Sequence, residues 1–163
     1  MKRLKPLVLG LFVLVLAFVF SFEQTPLLKT ADAATDRIYG KDRYETAVEI
    51  SKKGWTSSNA VVLARGDMFP DALAGAPLAY KENAPILLTT PNKLHAASKQ
   101  EIQRLKAKKV IILGSTVAVS ANVEKELKAM GLTVERIAGH DRYDTAVKIA
   151  NRVGINGTVI ISD

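Results

Sequence analysis

The chain has 163 residues, 48% of them apolar and 24% charged, with a formal net charge of +7. That balance excludes a disordered or low-complexity chain, and the absence of cysteine excludes a disulfide framework, a thiolate metal site and a thiol nucleophile. Neither property is spread evenly. Residues 1–33 hold four of the five phenylalanines, and Lys2, Arg3, Lys5 and Lys29 outweigh Glu23 and Asp32 there, leaving +5 for the remainder. At the start, three positive charges precede a 17-residue run without charge (6–22), and Ala31-Asp32-Ala33 then offers small residues at alternate positions. These are the three parts of a secretory signal in order, with cleavage expected after Ala33. The eleven residues from Glu23 to the cut suit a Gram-positive signal. The competing reading is an uncleaved anchor, since 17 residues lie at the lower limit for a membrane-spanning helix.

The remainder alternates between two patterns. Residues 60–64, 85–89, 110–114 and 158–162 are short apolar runs rich in branched side chains, as expected for strands buried on both faces of a parallel sheet. Residues 133–137 give a weaker strand signal. Between the runs lie helical patterns with legible ends. Asp42 and Glu45 have capping-box spacing, opening a helix that ends near Gly54, and Ser98 with Glu101 predicts another that runs to about Lys108. Pro70 fits the first turn of a helix over 69–81, while Ser120 and Gly131 bracket one over 122–130. Short connections between such elements specify a three-layer α/β fold with a mostly parallel sheet.

An internal repeat is the most informative feature. Residues 37–51 recur 99 residues later as 136–150, with ten of 15 positions identical and no gap. A period of about 100 residues is too long for a solenoid and points to tandem domain-sized modules. The expected organisation is a signal over 1–33, a first repeat over 37–135 and an incomplete second repeat over 136–163. The second copy stops just after its strand, so the chain reads as a fragment of a longer protein.

Arg-Ile-x-Gly-x-Asp-Arg-Tyr-x-Thr-Ala (twice), Phe69-Pro70-Asp71-Ala72-Leu73-Ala74, Ala84-Pro85-Ile86-Leu87-Leu88-Thr89, and Val110-Ile111-Ile112-Leu113-Gly114 followed by Ala118-Val119-Ser120 closely resemble the type-2 cell-wall-binding repeat of Gram-positive surface proteins. The resemblance covers Arg37 to Asp163. It departs at Gly114-Ser115, where the family usually has two glycines. It implies modules that pack in threes and hold a protein non-covalently on anionic wall polymers, often beside an effector such as a muramoyl-alanine amidase.

Site candidates fall into two groups. Asp42 and Asp141 read most simply as helix caps. Arg43 and Arg142 follow them in the first helical turn, against the helix dipole, and so call for a partner, either an internal carboxylate such as Asp71 or an external anion; the internal one is preferred. Tyr44 and Tyr143 read as core. The loops 66–70 and 114–120 follow the carboxyl ends of buried strands and lead into helices, the edge where open α/β sheets collect ligands. Arg43, Arg65, Asp71, Ser115 and Arg142 are therefore the candidate ligand residues. The second group is a basic stretch, Lys99, Arg104, Lys106, Lys108 and Lys109, read as either a solvated helix face or a dock for a polyanion. Arg65-Gly66-Asp67 spells an adhesion tripeptide, but at a strand-to-helix turn where such residues are common.

Outside the first 33 residues only six aromatic residues remain, too few for a stacking platform, so recognition rests on charge and hydrogen bonds. Two histidines, His95 and His140, form no zinc-ligand cluster, and no catalytic residue, metal or cofactor is expected. The expected partners are an anionic wall polymer, teichoic-acid-like or a phosphate-containing polysaccharide, and neighbouring repeats of the same chain. Export argues against nucleic acid, and cleavage of the signal against stable membrane insertion. Two alternatives stand beside anchoring: targeting of an amidase-type wall hydrolase whose catalytic domain lies outside this chain, and self-association into a surface layer.

Overall fold

The computed structural model describes residues 36–154. The expected signal over 1–33 and the second copy's strand at 158–162 lie outside them. In chain order the elements are α1 (Arg43–Gly54), β1 (Ala60–Arg65), α2 (Pro70–Ala74), α3 (Ala76–Lys81), β2 (Ile86–Thr89), α4 (Ala96–Arg104), β3 (Lys109–Leu113), α5 (Ala121–Ala129), β4 (Thr133–Ile137) and α6 (Arg142–Val153).

The four strands pair in the order β2-β1-β3-β4, all parallel. β1 and β3 are central, which is why they run apolar from Ala60 to Ala64 and from Val110 to Leu113 rather than alternating. Successive side chains point to opposite faces, so the sheet feeds two cores. Val61, Leu63, Leu87, Val110 and Ile112 pack with Val48 of α1, Ile102 of α4 and Leu127 of α5. Val62, Ala64, Ile111 and Leu113 pack on the other side with Leu78 of α3 and Ile149 of α6. The result is the expected three-layer α/β arrangement, α1/α4/α5 over the sheet over α2/α3/α6.

The repeated motif turns out to be a helix-start device. Asp42 accepts a hydrogen bond from the Glu45 N–H at 2.8 Å, and Glu45 reaches back to the N–H of Lys41. Asp141, Asp144 and His140 repeat this geometry. Thr46 and Thr145 tie the turn by accepting from the N–H of Gly40 and Gly139 and donating to the carbonyl of the capping aspartate. The glycines recur because a Cβ at either one would run into the helix it precedes.

Three helix readings are corrected. The single helix over 69–81 is two, broken at Gly75, where the N–H still donates to the Asp71 carbonyl. Pro77 cannot donate to Leu73 and its ring crowds that carbonyl, so the first helix cannot run through. Ser98 and Glu101 do not cap: α4 starts at Ala96, and both residues sit buried inside it. The Ser98 hydroxyl donates to the Leu88 carbonyl, while Glu101 accepts from Ser51 at 2.5 Å and pairs with Arg104 through both its oxygens. α4 stops at Arg104 rather than Lys108 because Lys106 turns into the left-handed region (φ 55°), where Ala107 N–H bonds back to the Ile102 carbonyl. Ser120 holds the cap position of α5, yet its hydroxyl makes no capping bond and is buried without a partner among the described residues. Trp55, the single tryptophan, lies between α1 and β1 and donates its indole N–H to the Asn83 carbonyl at 3.0 Å.

Candidate functional site

A cleft of about 230 Å³ opens at the carboxyl ends of β1 and β3, bounded by the start of α6. Four of the five candidate ligand residues line it: Arg65, Asp71, Ser115 and Arg142. Arg65 ends β1, Asp71 lies in the first turn of α2, Ser115 follows β3, and Arg142 opens α6. The cleft thus lies at the edge where open α/β sheets collect ligands, and four separate segments bring these residues to it.

Gly114 shapes the floor. Its φ of +92° is a left-handed conformation that side chains resist, and a Cβ there would stand 2.5 Å from Asp71 Oδ2 and 2.8 Å from the Ala118 Cβ. Glycine at 114 is what lets Asp71 approach the β3 terminus. The departure from the family at Ser115 costs no such close approach; its carbonyl receives the N–H of Ala118 and Val119.

The electrostatics are mixed in sign. Burial raises the Asp71 carboxyl above its ordinary range, against the pull of Arg65 and Arg142. Arg65 is held by Asp67 in a two-bond fork at 2.7 and 2.6 Å. The same fork pairs the two charges of the Arg65-Gly66-Asp67 tripeptide with each other, and Gly66 is buried against the Tyr44 ring. Arg142 is exposed and has no ion pair among the described residues, which makes it the cation of the cleft with most freedom to meet a ligand. His140 also lines the cleft. In sequence it stands out only as a histidine outside any zinc-ligand cluster, although the first copy carries a basic residue, Lys41, at the same position.

Arg43 is the candidate left outside. Its guanidinium donates to the Gly66 carbonyl at 2.8 Å, so its partner is internal as preferred, but is a carbonyl rather than Asp71. Tyr44 is half-buried and stacks on His95 with ring centroids 4.2 Å apart. Tyr143, also expected in the core, is exposed instead, because α6 turns a different face inward.

The basic stretch does not form one surface. Arg104 is drawn down onto Glu101 and onto the carbonyls of Trp55 and Thr56, and Lys109 pairs with Glu135 at 2.7 Å. Lys99, Lys106 and Lys108 remain exposed, with no ion pair among the described residues. Among those residues, too, no group of three or more histidine, aspartate or glutamate side chains could hold a metal ion, and no helix is long and apolar enough to cross a membrane.

Comparison with known proteins decides the family. The family described as Cell wall binding domain 2 (CWB2) matches residues 37–124, more than half of the chain. The chain belongs to the CWB2 family. It is 40% identical over 131 residues to the N-acetylmuramoyl-L-alanine amidase LytC of Bacillus subtilis (strain 168), covering 80% of this chain and 26% of that protein. It is 39% identical over 129 residues to the amidase enhancer of the same strain, covering 79% and 18%. Among solved structures, Cwp8 from Clostridium difficile matches with a TM-score of 0.67 and 38% identity over 71% of this chain and 21% of that one. Cwp6 from the same organism gives 0.67 and 34%, over 76% and 21%. The chain therefore spans about a quarter or less of the length of these relatives, and its three-layer parallel fold is that of the CWB2 domains in the Cwp proteins.

Proposed function

We propose that this chain is an exported wall-binding module that holds a surface protein non-covalently on an anionic wall polymer, either teichoic-acid-like or a phosphate-containing polysaccharide. The observation that carries the reading is the cleft at the carboxyl edge, where Arg142 and Ser115 line a space of about 230 Å³ in a chain of the CWB2 family. Arg142 offers a charge-assisted fork to a phosphate or carboxylate, and the hydroxyl of Ser115 suits sugar oxygens. Lys99, Lys106 and Lys108 add a diffuse field that draws a polyanion in. One such contact is weak, and tandem modules, each of about 100 residues, would multiply it by local concentration. Retention of the protein on purified walls is expected to fall when secondary polymers are stripped from them; equal retention on stripped walls would sink the polymer assignment.

A second reading is favoured by the relation to LytC: the module targets an amidase-type hydrolase whose catalytic domain lies in another part of the protein. Wall lysis by the whole protein, lost on removal of a catalytic domain outside residues 36–154, would separate targeting from simple anchoring.

A further inference from the structure

The charges that line the cleft do not make a simple anion trap. Apart from His140 they are Arg65, Asp71, Asp141 and Arg142, two of each sign, in a chain whose net charge is +7. Two of the four are already engaged. Arg65 is forked onto Asp67, and Asp141 caps α6 by accepting the Asp144 N–H at 2.8 Å. Asp71 and Arg142 are left, one negative and one positive. Neither side chain makes a hydrogen bond or an ion pair among the described residues, and they do not pair with each other.

Asp71 is the more costly of the two, because it is half-buried while Arg142 is exposed. A carboxylate withdrawn from water without a hydrogen bond is unfavourable. Burial accordingly raises its carboxyl, although Arg65 and Arg142 both pull the other way from a distance. Its position is nonetheless fixed. The Asp71 carbonyl accepts the Gly75 N–H at 3.0 Å, and only the missing side chain of Gly114 admits the carboxylate, since a Cβ there would stand 2.5 Å from Oδ2. One space of about 230 Å³ thus holds a fixed acceptor with no internal donor and a guanidinium with no internal anion.

A ligand carrying only negative charge gains from Arg142 and loses to Asp71. A ligand with an ammonium group close to its anion gains from both, and the ammonium offsets the cost of the half-buried carboxylate. We infer that the unit of polymer read by the cleft is zwitterionic: a phosphate or carboxylate held by Arg142, with an amine beside it held by Asp71. The inference rests on the wall-binding reading and narrows it. Arg142 supplies affinity for the polyanion, and Asp71 selects the chains that bear amines.

The test measures retention of the full chain on purified walls carrying aminoacylated poly(glycerol phosphate), on the same walls after acetylation of their amines, and on walls stripped of secondary polymer as background. Acetylation leaves the walls more negative, so general attraction to a basic chain predicts stronger retention. The inference expects the reverse, about tenfold weaker retention above background. Asp71→Asn is expected to make the chain indifferent to acetylation with no loss of thermal midpoint, while Arg142→Ala weakens retention on both kinds of wall. Retention that acetylation leaves unchanged or strengthens, or a preference for amines that survives Asp71→Asn, overturns the inference and leaves the polyanion reading standing. Retention no greater than on stripped walls removes that reading, and the inference with it.

Discussion

The cleft and the basic stretch differ in how their charge is held. In the cleft, Arg65, Asp71 and Arg142 arrive from three segments at one small space, and their positions are set by strand ends, a helix start and Gly114. In the basic stretch, charges adjacent in sequence scatter: two cations turn inward onto Glu101 and Glu135, and three face solvent. Charges adjacent in sequence therefore need not share a surface, while residues of different segments converge on one space. Under the proposed function the cleft selects the polymer by shape and the lysines raise its local concentration.

The largest effect tests the inward half of the basic stretch. Glu101→Ala strips the partner from the buried Ser51 hydroxyl and from Arg104, and is expected to cost about 3 kcal/mol in denaturant unfolding, the low end for a buried pair because Arg104 keeps some solvent. Burial alone would raise the Glu101 carboxyl, but the bonds from Arg104 and Ser51 outweigh it and hold it below its ordinary range. A depressed carboxylate stabilises the fold above the ordinary glutamate range, and that contribution fades as pH falls through the depressed value. Glu101→Ala should accordingly flatten the acid limb of the stability curve while wall retention of the folded fraction is unchanged.

Next comes the cleft. Arg142→Ala is expected to weaken wall retention about tenfold with little change in thermal midpoint, since the side chain is exposed and its loss removes a charge-assisted contact. Replacing Lys99, Lys106 and Lys108 together by glutamine should weaken retention only about threefold, and only at low salt. If the lysine variant lost more than the arginine variant, the ranking of the two regions would be inverted. The smallest effect is on Asp71. Its carboxyl is raised by burial, so the charged form is disfavoured in the folded state at neutral pH. Asp71→Asn should then stabilise slightly at neutral pH, an advantage that vanishes as pH falls through the carboxyl range, read by thermal melts across pH.

The strands were legible because central positions of a parallel sheet demand branched apolar residues on both faces, a constraint that local sequence cannot hide. The helix starts at Asp42 and Asp141 were legible because a cap acts within three residues. Ser98 and Glu101 have the same spacing but serve partners far away, Leu88 and Ser51, and no local pattern separates the two cases. The cleft was found through the edge rule of α/β sheets, which located four of its residues; Arg43 fell outside because the rule places loops and does not aim side chains. The opposed faces of α1 and α6 were hidden for a related reason, since identical residues were expected to be buried alike.

Trp55 stands before β1 and bonds to Asn83, which precedes β2, so it sits at the amino ends of the strands, opposite the cleft. Its emission is therefore a built-in optical reporter of folding that filling of the cleft should leave untouched. A titration followed at this fluorophore would stay flat even as ligand saturates, while a melt would move it. For a protein with one such ring, that separation lets occupancy and integrity be recorded on the same sample through independent channels.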